Sequence, residues 1–139
     1  MTFDQLTALL SYRLEQADES FQDAIILHDA GSLRGAANRA YYAMFYAALA
    51  LLATRQLGTS KHSGVLALFD REFVKTGLLP RQLSKNLHLA FERRQVHDYG
   101  ELTELDEATV DQMIADAQVF INSAKSFLTA NNYLYATEG

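Results

Sequence analysis

Residues 33-LRGAANRAYYAMFYAALALLATRQ-56 decide the fold. From Ala40 to Ala53 no side chain carries a charge, and alanine, leucine and aromatic residues fall on every face of a helical repeat. A helix that is apolar almost all round must be covered on every side, so this stretch is expected to be the central helix of a bundle. The run 40-AYYAMFYAALALLA-53 is too short to span a bilayer, which takes about 20 apolar residues, and no membrane segment is expected.

A central helix needs amphipathic neighbours, and the flanking sequence supplies them. Over about 2–29, Phe3, Leu10, Ala17 and Ala24 recur every seventh residue with Leu14, Phe21 and His28 between them, which makes one buried seam. The break 29-DAGS-32 offers Gly31 as a C-cap and Ser32 as the next N-cap. Gly58 is expected to end the central helix, and Thr59 or Ser60 to cap a third helix over about 61–76, with Val65, Leu66, Leu68, Phe69 and Phe73 inward. Gly77 stops that helix and Pro80, the sole proline, opens a fourth over about 80–96 that buries Leu83, Leu87, Ala90, Phe91 and Val96. A fifth, about 106–130, places Val110, Met113, Ile114, Ala117, Phe120, Ile121, Ala124 and Leu128 at helical spacing, and the tail 131–139 is expected to fray. With no run of alternating β-branched residues, the chain reads as a single all-α domain over 1–139, a four- or five-helix up-and-down bundle.

The 139 residues suffice for one core. The absence of cysteine excludes disulfides, thiolate zinc sites and a thiol nucleophile. The N-terminal residues lack the basic start and apolar run of a signal peptide, so the expectation is a cytoplasmic protein. A net charge of −5 argues against broad nonspecific binding to duplex DNA. The sign is uneven, however: from Asp98 onward Lys125 is the only lysine or arginine against eight acidic residues, whereas Arg55, Lys61, Arg71, Lys75, Arg81, Lys85, Arg93 and Arg94 crowd the segment before it. An acidic total can therefore hide a basic face.

Most chemical motifs are missing. There is no Glu-x-x-His pair of the kind that builds di-iron bundles; His88 and Glu92 share a helical spacing but stand alone, so neither a metal nor a cofactor is expected. No phosphate-binding glycine loop is present, and no local signature supports a Ser/His/Asp hydrolase. His28 reads as a helix-terminal residue capping a carbonyl. The start 61-KHSGV-65 could hold an anion on its free N–H groups, but simple capping accounts for it as well. The aromatic run 41-YYAMFY-46 reads as core rather than as a base-stacking platform. Arg39, beside it, calls for an acidic partner, with Glu15, Asp18 and Glu19 available.

The densest polar stretch is 92-ERRQVHDYG-100. On a helix, Arg93 and His97 are four apart and Arg94 and His97 three apart, so either arginine can face the histidine. A histidine can take the proton from a ribose 2′-hydroxyl or give one to the leaving oxygen, an arginine can grip the phosphate, and Tyr99 could stack a base or donate a hydrogen bond. The plainer reading is a helix C-terminus with dipole-matched cations followed by an Asp-Tyr-Gly turn, and spacing by itself favours it.

Three segments taken together, 38-NRAYYAMFYAALALL-52, 61-KHSGVLALFDREFVKTGLLP-80 and 94-RQVHDYG-100, resemble the stand-alone branch of the HEPN domain family. The resemblance covers most of the chain and implies a helical bundle paired as a homodimer. Many HEPN domains are metal-independent ribonucleases whose motif is an arginine, four to six residues, then a histidine, often with a tyrosine two further on. By resemblance His97 is the histidine and Tyr99 the tyrosine; Arg93 precedes His97 by three intervening residues and Arg94 by two, and Glu92 holds the position with four. The family also implies a toxin–antitoxin partnership with a minimal nucleotidyltransferase. Three readings follow: a dimer that cuts RNA with Arg93 or Arg94, His97 and Tyr99 in its cleft; the same groove binding a nucleotide, RNA or the nucleotidyltransferase without turnover, with Tyr99 a possible acceptor of a transferred nucleotide; and a helical dimer whose groove is incidental.

Overall fold

The computed structural model describes residues 1–98 and 105–134, with only the backbone described for 95–98. Among the described residues, five α-helices follow in order: α1 (Phe3–Asp29), α2 (Leu33–Ala53), α3 (His62–Phe69), α4 (Arg81–Asp98) and α5 (Glu107–Ala130). The all-α reading is correct. α2 is the hub, packed against α1, α5, α4 and α3. Twelve of its residues are buried, from Ala36 to Leu52, as an all-round apolar helix requires. The many alanines on it let its neighbours approach closely, while Leu51, Leu52, Phe69, Phe73 and Phe120 fill the spaces between elements. Among the described residues, no helix is long and apolar enough to cross a membrane.

Local chemistry sets the helix ends, not always as expected. Thr2 and Gln5 form a reciprocal capping box at the start of α1. Phe3, expected in the seam, is 55% exposed because it lies in the first turn, beyond the reach of the core. At the other end Gly31 adopts φ +82°, Gly31 N–H donates to His28 O and Ser32 N–H to Leu27 O, the paired bonds of a left-handed C-cap. Ser32 holds the N-cap position of α2 but its hydroxyl makes no capping bond. α2 ends at Ala53, short of Gly58, and Gln56 takes the left-handed conformation with φ +54°. Leu57 N–H then donates to Leu52 O at 3.2 Å. A glutamine there is strained by its Cβ, so Gln56→Gly is expected to stabilise the protein by about 1 kcal/mol. In a thermal melt that is a rise of about 3–5 °C; an unchanged or lower midpoint would contradict it.

The third helix is not continuous over 61–76. After Phe69 the chain widens into a π-helical turn, Asp70–Val74, closed by Lys75 N–H donating to Asp70 O at 2.8 Å. The wider turn presents Asp70 to α4, where Ser84 Oγ donates to Asp70 Oδ1 at 2.5 Å and His88 Nε2 lies 2.7 Å from Asp70 Oδ2. His88 is thus tied to an aspartate on another element rather than to Glu92. Beyond α5, Asn132 takes φ +64°, Tyr133 N–H donates to Leu128 O, and Tyr133 and Leu134 pack against the core.

A candidate nucleic-acid site at the end of α4

Arg93 and Arg94 are neighbours in sequence but sit about 100° apart around α4, and their surroundings differ. Arg93 acts on Asp106, the N-cap of α5. The Thr109 side chain first, then Thr109 N–H, which donates to the Asp106 carboxylate at 2.7 Å, and last Arg93 hold its pKa below the usual value. Arg94 turns instead toward α2, its Cζ 5.4 Å from the Tyr41 ring centre and 5.2 Å from that of Tyr42. Arg39 covers the Tyr42 ring as well, at 4.7 Å. Two guanidiniums on one tyrosine make a cationic–aromatic patch where α2 meets α4.

The aromatic run of α2 is therefore only partly core. Tyr41, Met44 and Phe45 are buried, whereas Tyr46 and Tyr42, over which both guanidiniums lie, are partly exposed. Arg39 finds no ion pair with Glu15, Asp18 or Glu19 among the described residues; it donates to Asn38 Oδ1 at 3.0 and 3.1 Å, and Asp18 pairs with Lys125 at 2.8 Å.

His62 is the residue that sequence reasoning missed. It is the first residue of α3, and Lys61, not Thr59 or Ser60, holds the N-cap position, with no side-chain capping bond. Gly64 allows the preceding loop to fold over this turn: a Cβ there would come within 2.6 Å of Thr59 Cγ2. The His62 ring stacks on Phe45 with centroids 4.3 Å apart, and its Nδ1 lies 2.7 Å from the Tyr41 hydroxyl. Burial holds Tyr41 protonated far above the usual tyrosine range, with Arg94 opposing that effect. Burial first, and Arg94 second, lower His62 below the usual histidine value. In a neutral His62 whose Nδ1 accepts the Tyr41 proton, the ring proton sits on Nε2. The signal was available in the sequence as three separate motifs, but nothing in their spacing shows that Tyr41, His62 and Arg94 converge.

Of the expected site residues, the structure places Arg94 beside this cluster and Arg93 away from it. His97 belongs to α4 by its backbone, but its side chain lies outside the described residues, as does all of Tyr99. His28 does not cap its own helix. Its Nε2 reaches α5, 2.5 Å from Asp111 Oδ1 and 3.8 Å from Glu107 Oε1. The ligand atoms of these three residues lie within 4.8 Å of one another, and the set ties the end of α1 to the start of α5.

A helical bundle hubbed on α2, with a basic and aromatic cluster at the end of α4, defines a class of small helical domains. The sequence matches the HEPN domain over residues 10–127, and the chain belongs to the HEPN family. It is 42% identical to a UPF0332 protein of Thermotoga maritima over 120 residues, 86% of this chain and 91% of that protein. Two proteins of Methanocaldococcus jannaschii, each named a putative toxin, are similar to it. One is 33% identical over 87% of this chain and 82% of its own length, the other 32% over 83% and 85%.

Proposed function

We propose that the protein is the toxin-type component of a toxin–antitoxin pair, a homodimer that cuts RNA without a metal ion, with a minimal nucleotidyltransferase as its antitoxin. The observation that carries this reading is the placement of Arg94 at the α2–α4 junction, against Tyr41, Tyr42 and close to His62, on the same helix as His97. The names of the two archaeal relatives support the toxin role. In the reaction, His97 removes the proton from a ribose 2′-hydroxyl, whose oxygen attacks the adjacent phosphorus. The P–O2′ bond forms, the P–O5′ bond breaks, and the leaving O5′ receives the proton that His97 took up. Arg94 holds the non-bridging oxygens as their charge grows. Tyr99 stacks a base or donates a hydrogen bond.

The test is incubation of the purified protein with single-stranded RNA in EDTA, beside DNA of the same sequence. RNA ending in a 2′,3′-cyclic phosphate, with DNA intact, is the expected result. Equal cleavage of DNA, or equal RNA cleavage by His97→Ala purified identically, would sink the mechanism. A second reading, a non-catalytic module binding a nucleotide, RNA or the nucleotidyltransferase, is favoured by the short spacing from Arg93 and Arg94 to His97. Tight RNA binding with no product from either protein would select it.

A further inference from the structure

Next to His62 lies a groove of about 560 Å³ between the start of α1, the second half of α2 and the loop 57–60. Its volume falls within the range of about 300–1,000 Å³ usual for small-molecule sites. Phe45, Leu49 and Leu57 supply apolar walls, and Arg13, Ser60 and His62 supply the polar groups. None of its lining residues is a carboxylate, although the chain as a whole carries a net charge of −5. Apolar walls with Arg13, Ser60 and His62 among them suit a flat heterocycle attached to an anion.

His62 joins this groove to the arginine cluster. It lines the groove, stacks on Phe45 and shares Tyr41 with Arg94. Tyr41 lies at Nδ1, which leaves Nε2 as the imidazole nitrogen for an incoming oxygen, and it carries the proton in the tautomer where Tyr41 donates. We infer that the groove is the subsite for the nucleotide next to the scissile phosphate of single-stranded RNA, with its base against Phe45, Leu49 and Leu57 and its phosphate shared by His62 Nε2–H and Arg94. The inference rests on the RNA reading above and adds to it a substrate-contacting histidine that lies outside 92-ERRQVHDYG-100.

Binding of a 2′-O-methyl single-stranded RNA, which cannot be cleaved through its 2′ oxygen, tests it by fluorescence anisotropy. His62→Ala is expected to weaken binding about tenfold, the loss of one hydrogen bond to a charged group. His62→Gln keeps a side-chain N–H and is expected to recover part of the affinity. Gly58→Trp puts an indole at a lining position where an added Cβ meets nothing within 4 Å, and it is expected to weaken binding to a similar extent. Circular dichroism checks the fold of each variant. If His62→Ala or Gly58→Trp binds within twofold of the wild type while the wild type still cuts RNA, the subsite is wrong and the ribonuclease reading stands. Titration with uridine 3′-monophosphate, followed by the His62 imidazole resonances, reads the subsite independently of cleavage. Displaced His62 resonances in a protein that cuts no RNA keep the subsite and remove the ribonuclease; unmoved resonances overturn the subsite.

Discussion

Arg94→Ala is expected to lower the rate of RNA cleavage by about 10²–10³-fold, the usual loss when one preorganised donor to a developing anion is removed. Arg93→Ala is expected to cost less than about tenfold, as for a surface charge that aids encounter. The two residues have the same chemistry and differ in sequence position by one, so the contrast tests placement alone. Arg94 reaches the Tyr41 and Tyr42 rings and influences His62, whereas Arg93 serves the Asp106 cap of α5. Single-turnover cleavage with each variant measures the ratio. Arg94→Lys restores the charge but not the planar fork, and it should recover only a fraction of the rate. Equal losses for Arg93→Ala and Arg94→Ala would show that the cleft does not distinguish the two and that the α2–α4 patch is not the phosphate site.

Phe120→Ala is expected to destabilise the protein by about 3–5 kcal/mol, the usual cost of emptying a buried phenylalanine site. Phe120 is fully buried on α5 and its ring centre lies 5.3 Å from that of Phe69 on α3, so the cavity would open between two elements that both pack against α2. Small domains have about 5–15 kcal/mol in all, so the variant would sit near the edge of folding. A melting point lower by about 10–20 °C is the corresponding signal by calorimetry or circular dichroism. Val119→Ala, at a neighbouring position that is 53% exposed, should stay within about 0.5 kcal/mol of the parent. A loss below about 1 kcal/mol for Phe120→Ala would mean that the site collapses around the gap.

Much of the architecture was legible because it depends on short-range periodicity. The all-round apolar character of α2 required a central position, and the inward residues of α5 follow directly from a 3.6-residue repeat. Gly31 was readable as a cap because a positive φ favours glycine. Gly58 misled for the converse reason: the chain leaves α2 earlier, and Gln56 accepts the strained conformation. The π-helical turn was not legible. Its extra residue is stabilised by Asp70 bonding to Ser84 and His88 on another helix, which no local rule contains.

The site divides in the same way. By itself, the sequence determined that α4 ends in two arginines and a histidine at helical spacing, and that the chain resembles one family over most of its length; both are properties of order along the chain. Only the tertiary structure decided which arginine turns toward α2, and that Tyr41 and Tyr42 receive it. It also decided that His62, 32 residues before Arg94, stands in the same cluster. The physical reason is that a helix fixes the angle between neighbouring side chains but not what its faces meet. That is set by how α2, α3 and α4 pack, and the packing is settled by burial summed over the whole core.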